Sequence, residues 1–268
     1  MSESSLTPAC QSVSQYWDGV VRDFLQGGEV PPELQSWFDS YRGRGRGAVQ
    51  PNALPEPFLG SLEKPKAVFL ALNPGKADLH FQGRDRIFAQ EIQKKFGGSY
   101  TKWAASWAYF RNPWESQKGR NRHHSARLRF LRNWYPDETF SHHDMVSFEF
   151  YPWHSASTDR QFNIEQARPC IQKYILKPIM ELGVPIFAFG KAWFDTFNNL
   201  LSPDLKLLKW LGRDGEPYGS CAKTRSVIVL RDVRTKILIL AAKHQGSAGP
   251  PSAEETELLR NALSDIYS

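Results

Sequence analysis

Cysteine is scarce in this chain of 268 residues: Cys10, Cys170 and Cys221 are an odd number at wide spacing with no CxxC pair. That usage excludes a disulfide framework and offers no zinc cluster. No apolar run approaches the roughly 18 residues of a membrane span. The start Met1-Ser2-Glu3-Ser4-Ser5 has neither the basic residues nor the apolar stretch of a secretion signal. The expectation is a soluble, cytoplasmic protein without membrane contact. Neither GxGxxG nor a Walker pattern occurs, which counts against a small-nucleotide enzyme on a doubly wound sheet. Acids are few between Arg111 and Arg132, where Lys118, Arg120, Arg122, Arg127 and Arg129 also fall, with Trp103, Trp107, Trp114 and Trp134 around them. Basic residues neutralise phosphates and aromatics stack on bases, so this stretch points to nucleic acid more strongly than the net charge of +6 does. The alternative for it is a solvated basic helix over an aromatic core.

The length suits one α/β domain with elaborations. Trp17, Val20, Val21, Phe24 and Leu25 recur at helical spacing and end at Gly27-Gly28, which suits a helix cap. Pro31-Pro32 opens a second helical pattern through Leu34, Trp37, Phe38 and Tyr41, and Arg42-Gly43-Arg44-Gly45-Arg46-Gly47 reads as a flexible basic linker. Residues 1–58 are accordingly a helical annex with its linker, and residues 59–268 the main domain.

Four short apolar runs carry the fold: Ala67 to Leu72, Met145 to Phe150, Pro185 to Phe189 and Ile237 to Leu240. The second and third flank a helical pattern from Ile164 to Leu182 interrupted by Pro169 and Pro178, implying a kink or two shorter helices. Strand, helix, strand predicts a mainly parallel four-stranded sheet in a three-layer αβα sandwich. Val227 to Leu230 pairs with the last strand as a hairpin or precedes it through a surface loop. Ser252-Ala253-Glu254-Glu255 is a capping box before a closing helix.

Two strand ends stand out. Leu70-Ala71-Leu72 runs into Asn73-Pro74-Gly75, and Ile237 to Leu240 runs into Lys243-His244-Gln245-Gly246-Ser247. An amide and an imidazole beside small residues at strand ends are how an open α/β sheet builds a site. In their order along the chain these segments, with Phe187-Ala188-Phe189-Gly190-Lys191-Ala192 between them, resemble the uracil-DNA glycosylase superfamily over roughly residues 60 to 268. Leu72-Asn73-Pro74-Gly75 is similar to the first motif of its mismatch-specific branch, and His244-Gln245-Gly246-Ser247 to a second motif that enters the minor groove. In His244-Gln245 the usual proline after the histidine is missing, and Asn73 stands where the fastest members carry aspartate.

The resemblance implies a DNA glycosylase in which Asn73 holds the attacking water and a neutral His244 donates to the departing base. Asn73 cannot take a proton, so general-base help is weaker and turnover slower. An extruded base needs an aromatic to stack on; Phe81 and Phe88 follow the first motif, and Phe88 is preferred. Gly75 shapes the base pocket, with Trp153 or His154 as further lining. DNA contacts fall to Gln245, Gly246, Ser247, Arg120, Arg122 and Lys191.

Glu149 occupies the strand position where family members commonly place an asparagine. A carboxylate accepts hydrogen bonds only, which suits the exocyclic amine of cytosine and disfavours the carbonyl of uracil or thymine. Glu149 has two alternatives, pairing with an arginine or donating to a carbonyl when protonated. Because unmodified cytosine is abundant in DNA, the expected substrate is a modified cytosine, as in phage DNA, which relatives in the superfamily excise as antiviral defence. Neither Lys76 nor Lys243 sits where a Schiff-base nucleophile belongs, so a monofunctional, monomeric enzyme leaving an abasic site is expected, with no cofactor and no metal. Rival readings are a repair glycosylase for uracil or mismatched thymine, and a DNA-binding protein without catalysis. His123-His124 and His142-His143 read as surface or DNA-backbone contacts, since adjacent side chains diverge on helix and strand alike.

Overall fold

The computed structural model describes residues 6–157, 162–199, 204–212, 226–243 and 249–267. Thr7 caps α1 (Pro8–Leu25), whose buried stripe includes Val13, Trp17, Val20, Val21 and Phe24. Pro32 opens α2 (Pro32–Asp39). The strands β1 (Phe58–Leu59) and β2 (Ala67–Ala71) precede α3 (Leu79–Gln82), α4 (Ile87–Lys94), α5 (Tyr100–Ala105) and α6 (Trp114–Lys118). Next come α7 (Arg122–Trp134), capped by Asn121, and β3 (Met145–Glu149). The proline-interrupted pattern becomes α8 (Ile164–Ile171), a π-helical segment at Gln172–Leu176 and α9 (Lys177–Glu181). Then follow β4 (Ile186–Phe189), α10 (Lys191–Asn199), β5 (Leu205–Leu211), β6 (Ser226–Asp232), β7 (Leu238–Lys243), α11 (Ala253–Ala262) and α12 (Ser264–Tyr267).

The four expected strands are β2, β3, β4 and β7, and they lie side by side and parallel, in register at Val68 with Val146 and Ile186, and at Ile186 with Ile239. The sheet they belong to has seven strands in the order β1-β3-β2-β4-β7-β6-β5, so a four-stranded sheet is too small a description. The additions are antiparallel: β1 extends one edge beside β3, while β6 and β5 extend the other beside β7. The hairpin alternative for Val227 to Leu240 is the one realised. Its turn is organised by the Asp232 carboxylate, which accepts from the backbone N–H groups of Arg234 and Thr235 and from the Thr235 hydroxyl. β5 escapes the sequence reading because Lys206 and Lys209 interrupt its leucines and a register shift falls between Leu207 and Lys209.

Every residue of β2, β3 and β4 is buried, so both sheet faces are covered, which is why these strands read as continuous apolar runs. On one face Phe130 of α7 packs edge-on against Phe69, Phe187 and Phe189, with Trp134 against Phe187. The closing helix begins as expected: Ser252 and Glu255 exchange a reciprocal capping pair at the start of α11.

The N-terminal helices belong to the same hydrophobic core as the sheet. Trp37 of α2 is fully buried, stacks parallel to Tyr174 and donates its indole N–H to the Phe150 carbonyl at 2.9 Å, directly after β3. The Arg-Gly stretch is followed by backbone tied to the main body: Gln50 N–H donates to His154 O at 2.8 Å, and Glu56 N–H to Pro152 O at 2.8 Å. A boundary at residue 58 therefore cuts through one packed unit. Trp37→Ala is expected to cost about 3–5 kcal/mol of unfolding free energy. Urea titration should show far-UV circular dichroism and tryptophan fluorescence shifting together in one transition.

Candidate active site

A cavity of about 730 Å³ opens where β2 and β3 end. Its walls come from Asn73 to Lys76 after β2, from Glu149 at the end of β3, from the first turns of α7 and from Tyr109 and Trp114. The carboxyl edge of parallel strands is where an open α/β sheet binds ligands.

After Leu72 the chain must leave the sheet at once, and Gly75 makes this possible with a φ of 85°, a conformation costly for any residue with a Cβ. The turn is tied to the segment after β3, with Ser155 N–H donating to Gly75 O at 3.1 Å. The Asn73 amide nitrogen donates to the Ser155 carbonyl at 3.2 Å and to its hydroxyl at 3.0 Å. A carbonyl only accepts, so this contact fixes which end of the amide is nitrogen. Asn73 Oδ1 accepts no hydrogen bond among the described residues and is left for a ligand or a water.

Beneath the turn lies fully buried His154, whose Nδ1–H donates to Gly75 O at 3.0 Å. Its Nε2 sits 3.4 Å from Glu56 Oε1 and makes no hydrogen bond to it. Glu56 Oε1 accepts from the Tyr109 hydroxyl at 2.6 Å and from Gln82 Nε2 at 2.9 Å. Burial, reinforced by the Glu56 charge, holds the Tyr109 phenol well above its ordinary pKa, so it stays a donor.

Arg127 is 7% exposed and joins α7 to β3. Its Nη1 donates to Ser147 Oγ at 2.7 Å and to His124 Nδ1 at 3.1 Å, while Nη2 donates to Glu149 Oε1 at 3.3 Å. Glu149 Oε2 is buried with no hydrogen-bond partner. Desolvation raises the Glu149 carboxyl to about 7; Arg127 pulls against that rise and the nearby Glu56 charge adds to it. Burial, with the Arg127 charge second, pushes His124 well below its ordinary value and keeps it neutral.

Of the residues expected from sequence, Asn73, Gly75, Glu149 and Arg122 line this one cavity. Glu149 is also paired with an arginine, one of the alternatives open from sequence. Phe88 and Phe81 do not line the cavity. Both are fully buried, and Phe88 packs behind Tyr109 and Trp114 at ring distances of 5.4 and 6.0 Å. The aromatic walls are Tyr109 and Trp114 instead, because α3 and α4 turn their phenylalanines inward to the core. Trp153 is likewise a core residue, edge-on to Trp37 and Phe38. Lys191 lies outside the cavity wall and pairs with Asp195 one helical turn on. Arg120 is exposed and is not part of the lining. His244, Gln245, Gly246 and Ser247 lie outside the described residues, which end β7 at Lys243.

The basic stretch is not one patch. Arg111 is bound to Glu91, Arg127 is buried and Arg132 donates to the Phe140 carbonyl, whereas Arg120, Arg122 and Arg129 are exposed. His124 is buried, not a surface contact; a helix places its neighbour His123 on the outer side. Glu56, Gln82 and Tyr109 were missed from sequence altogether, while Trp114, His124 and Arg127 were read only as general nucleic-acid or surface contacts and not as parts of this cavity. A signal existed for two of them: His124 and Arg127 share the helical stripe of Leu131 and Trp134.

No group of three or more His, Cys, Asp or Glu side chains among the described residues is arranged to hold a metal ion. No described helix is long and apolar enough to cross a membrane. Comparison of the chain with protein-family models, with curated proteins and with solved structures finds no match in any of the three.

Between pH 4.5 and about 7 the folded protein keeps a proton on Glu149 that the unfolded chain has released. The Glu149 contribution to stability therefore falls by about 3 kcal/mol as pH rises through that window and levels off above it, while His124, held neutral by burial, contributes in the opposite sense. Glu149→Gln should remove the falling part, read as a rise in the variant's urea midpoint relative to that of the wild type on going from pH 5 to pH 8.

Proposed function

We propose that this chain is a monofunctional DNA glycosylase, acting as a cytoplasmic monomer on a base extruded from DNA into the cavity at the ends of β2 and β3. One observation carries the reading. Asn73, its amide locked with Oδ1 open, and Glu149, with an unpartnered Oε2, lie at the ends of adjacent parallel strands in the wall of one cavity. Hydrolysis needs an acceptor that holds water behind the sugar and a polar group that recognises the base. Water bonds through oxygen to C1′ as the C1′–N bond breaks, and the base leaves with a proton from the water. Asn73 Oδ1 orients that water without taking its proton. Tyr109 and Trp114 supply the aromatic walls for the base. The exposed Arg120, Arg122 and Arg129 supply charge for the phosphates. The seven-stranded sheet with covered faces is compatible with a three-layer sandwich.

A modified cytosine, as carried by phage DNA, is the substrate this site suits best. Ionised Glu149 accepts from its exocyclic amine, and about 730 Å³ leaves room beside a single pyrimidine ring for an added group. The rise of Glu149 to about 7 favours one second reading, in which the protonated carboxyl donates to the carbonyl of uracil or mismatched thymine.

The deciding experiment incubates the protein with oligonucleotides carrying cytosine, hydroxymethylcytosine, glucosylated hydroxymethylcytosine, uracil or a G·T mismatch, followed by mass spectrometry of released bases. Release of a modified cytosine is expected, rising with pH through about 7 as Glu149 ionises; release of uracil or thymine, falling over the same range, supports the second reading. Asn73→Ala should lower the rate by about 100-fold while leaving DNA affinity unchanged. DNA bound without release of any base would make this a binding protein.

A further inference from the structure

Asn73 Oδ1 and ionised Glu149 only accept hydrogen bonds, and a base that leaves with developing negative charge also needs a donor. His124 lines the cavity and is 6% exposed. Arg127 Nη1 approaches its Nδ1 at 3.1 Å. Guanidinium has no acceptor and stays charged in proteins, so Nδ1 must present its lone pair. The one proton of the neutral ring then sits on Nε2. The ring is held in place as well. Asn121 Oδ1 accepts from the backbone N–H groups of His123 and His124, and the imidazole lies against Tyr109 at 5.0 Å and Trp107 at 5.4 Å between ring centres. Nε2 has no hydrogen-bond partner among the described residues.

We infer that His124 is a hydrogen-bond donor of the site, a neutral imidazole whose proton Arg127 confines to Nε2, presented to an acceptor atom of the bound base. Resting on the glycosylase reading, this deepens it: the acceptor is a ring nitrogen or carbonyl oxygen on which negative charge gathers as the C1′–N bond breaks. A neutral donor suits that task because it strengthens its bond as charge develops and requires no proton to be supplied beforehand. The same guanidinium holds Glu149 Oε1, so donor and acceptor are set relative to one another by a single side chain.

The test begins with protein labelled with ¹⁵N in histidine. At pH 7 the His124 ring should show a protonated Nε2 and a bare Nδ1, and the Nε2–H resonance should move on adding free cytosine or uracil. A protonated Nδ1, a charged ring, or a resonance unmoved by both bases overturns the assignment. If the wild type releases a base from DNA, His124→Phe should slow single-turnover release by about 100-fold, and His124→Gln, which keeps an N–H donor, should recover most of the rate. His124→Phe as fast as wild type also overturns it. If no DNA yields a free base, the glycosylase reading falls, and the ¹⁵N spectra still decide whether His124 is the donor.

Discussion

Burying Arg127 is the constraint on which the rest of the site depends. A guanidinium that cannot lose its charge is tolerated in an interior only if its N–H groups find acceptors. Here the acceptors are Ser147 and Glu149 on β3 and His124 on α7. Meeting that requirement fixes α7 against the sheet one turn before Phe130 packs on Phe69. It also decides the chemistry around it: the His124 proton goes to Nε2, and the Glu149 carboxyl, which desolvation alone would raise further, stops at about 7.

A second buried acid, Glu56, extends the same logic within the cavity wall. Its oxygen is held by Tyr109 and Gln82, and His154 stands between it and the Gly75 carbonyl. These residues come from four separate parts of the chain. Together they join the segment after the N-terminal helices to the turn that carries Asn73, so the annex supports the site as well as the core. Trp37, bonded to the Phe150 carbonyl, makes the same connection on the apolar side.

Much of the fold was legible because its signals are local. The four parallel strands read as buried β-branched and aromatic runs, the closing helix announced itself through Ser252 and Glu255, and Pro169 and Pro178 flank the π-helical segment that joins α8 to α9. β5 was not legible, since an edge strand carrying lysines lacks the apolar run that betrays a central one. Asn73 and Gly75, which line the cavity, were legible because a polar residue or glycine closing an apolar strand is visible in one dimension, whereas Glu149 was singled out only through the resemblance. Phe88 was misplaced for the converse reason: an aromatic near a motif does not reveal which side of its helix faces the core.

The sequence by itself determined the strand cores, the amphipathic helices and the polar strand ends, because period and turn chemistry are properties of neighbouring residues. Only the tertiary structure decided what those ends face. Arg127, Glu149, His124 and Glu56 are separated along the chain by spacings that carry no pattern, and each is uncomfortable buried alone. The orientation of all four, and the protonation of Glu149 and His124, follow from being buried near one another, since the energy of a buried charge depends on partners that only folding supplies.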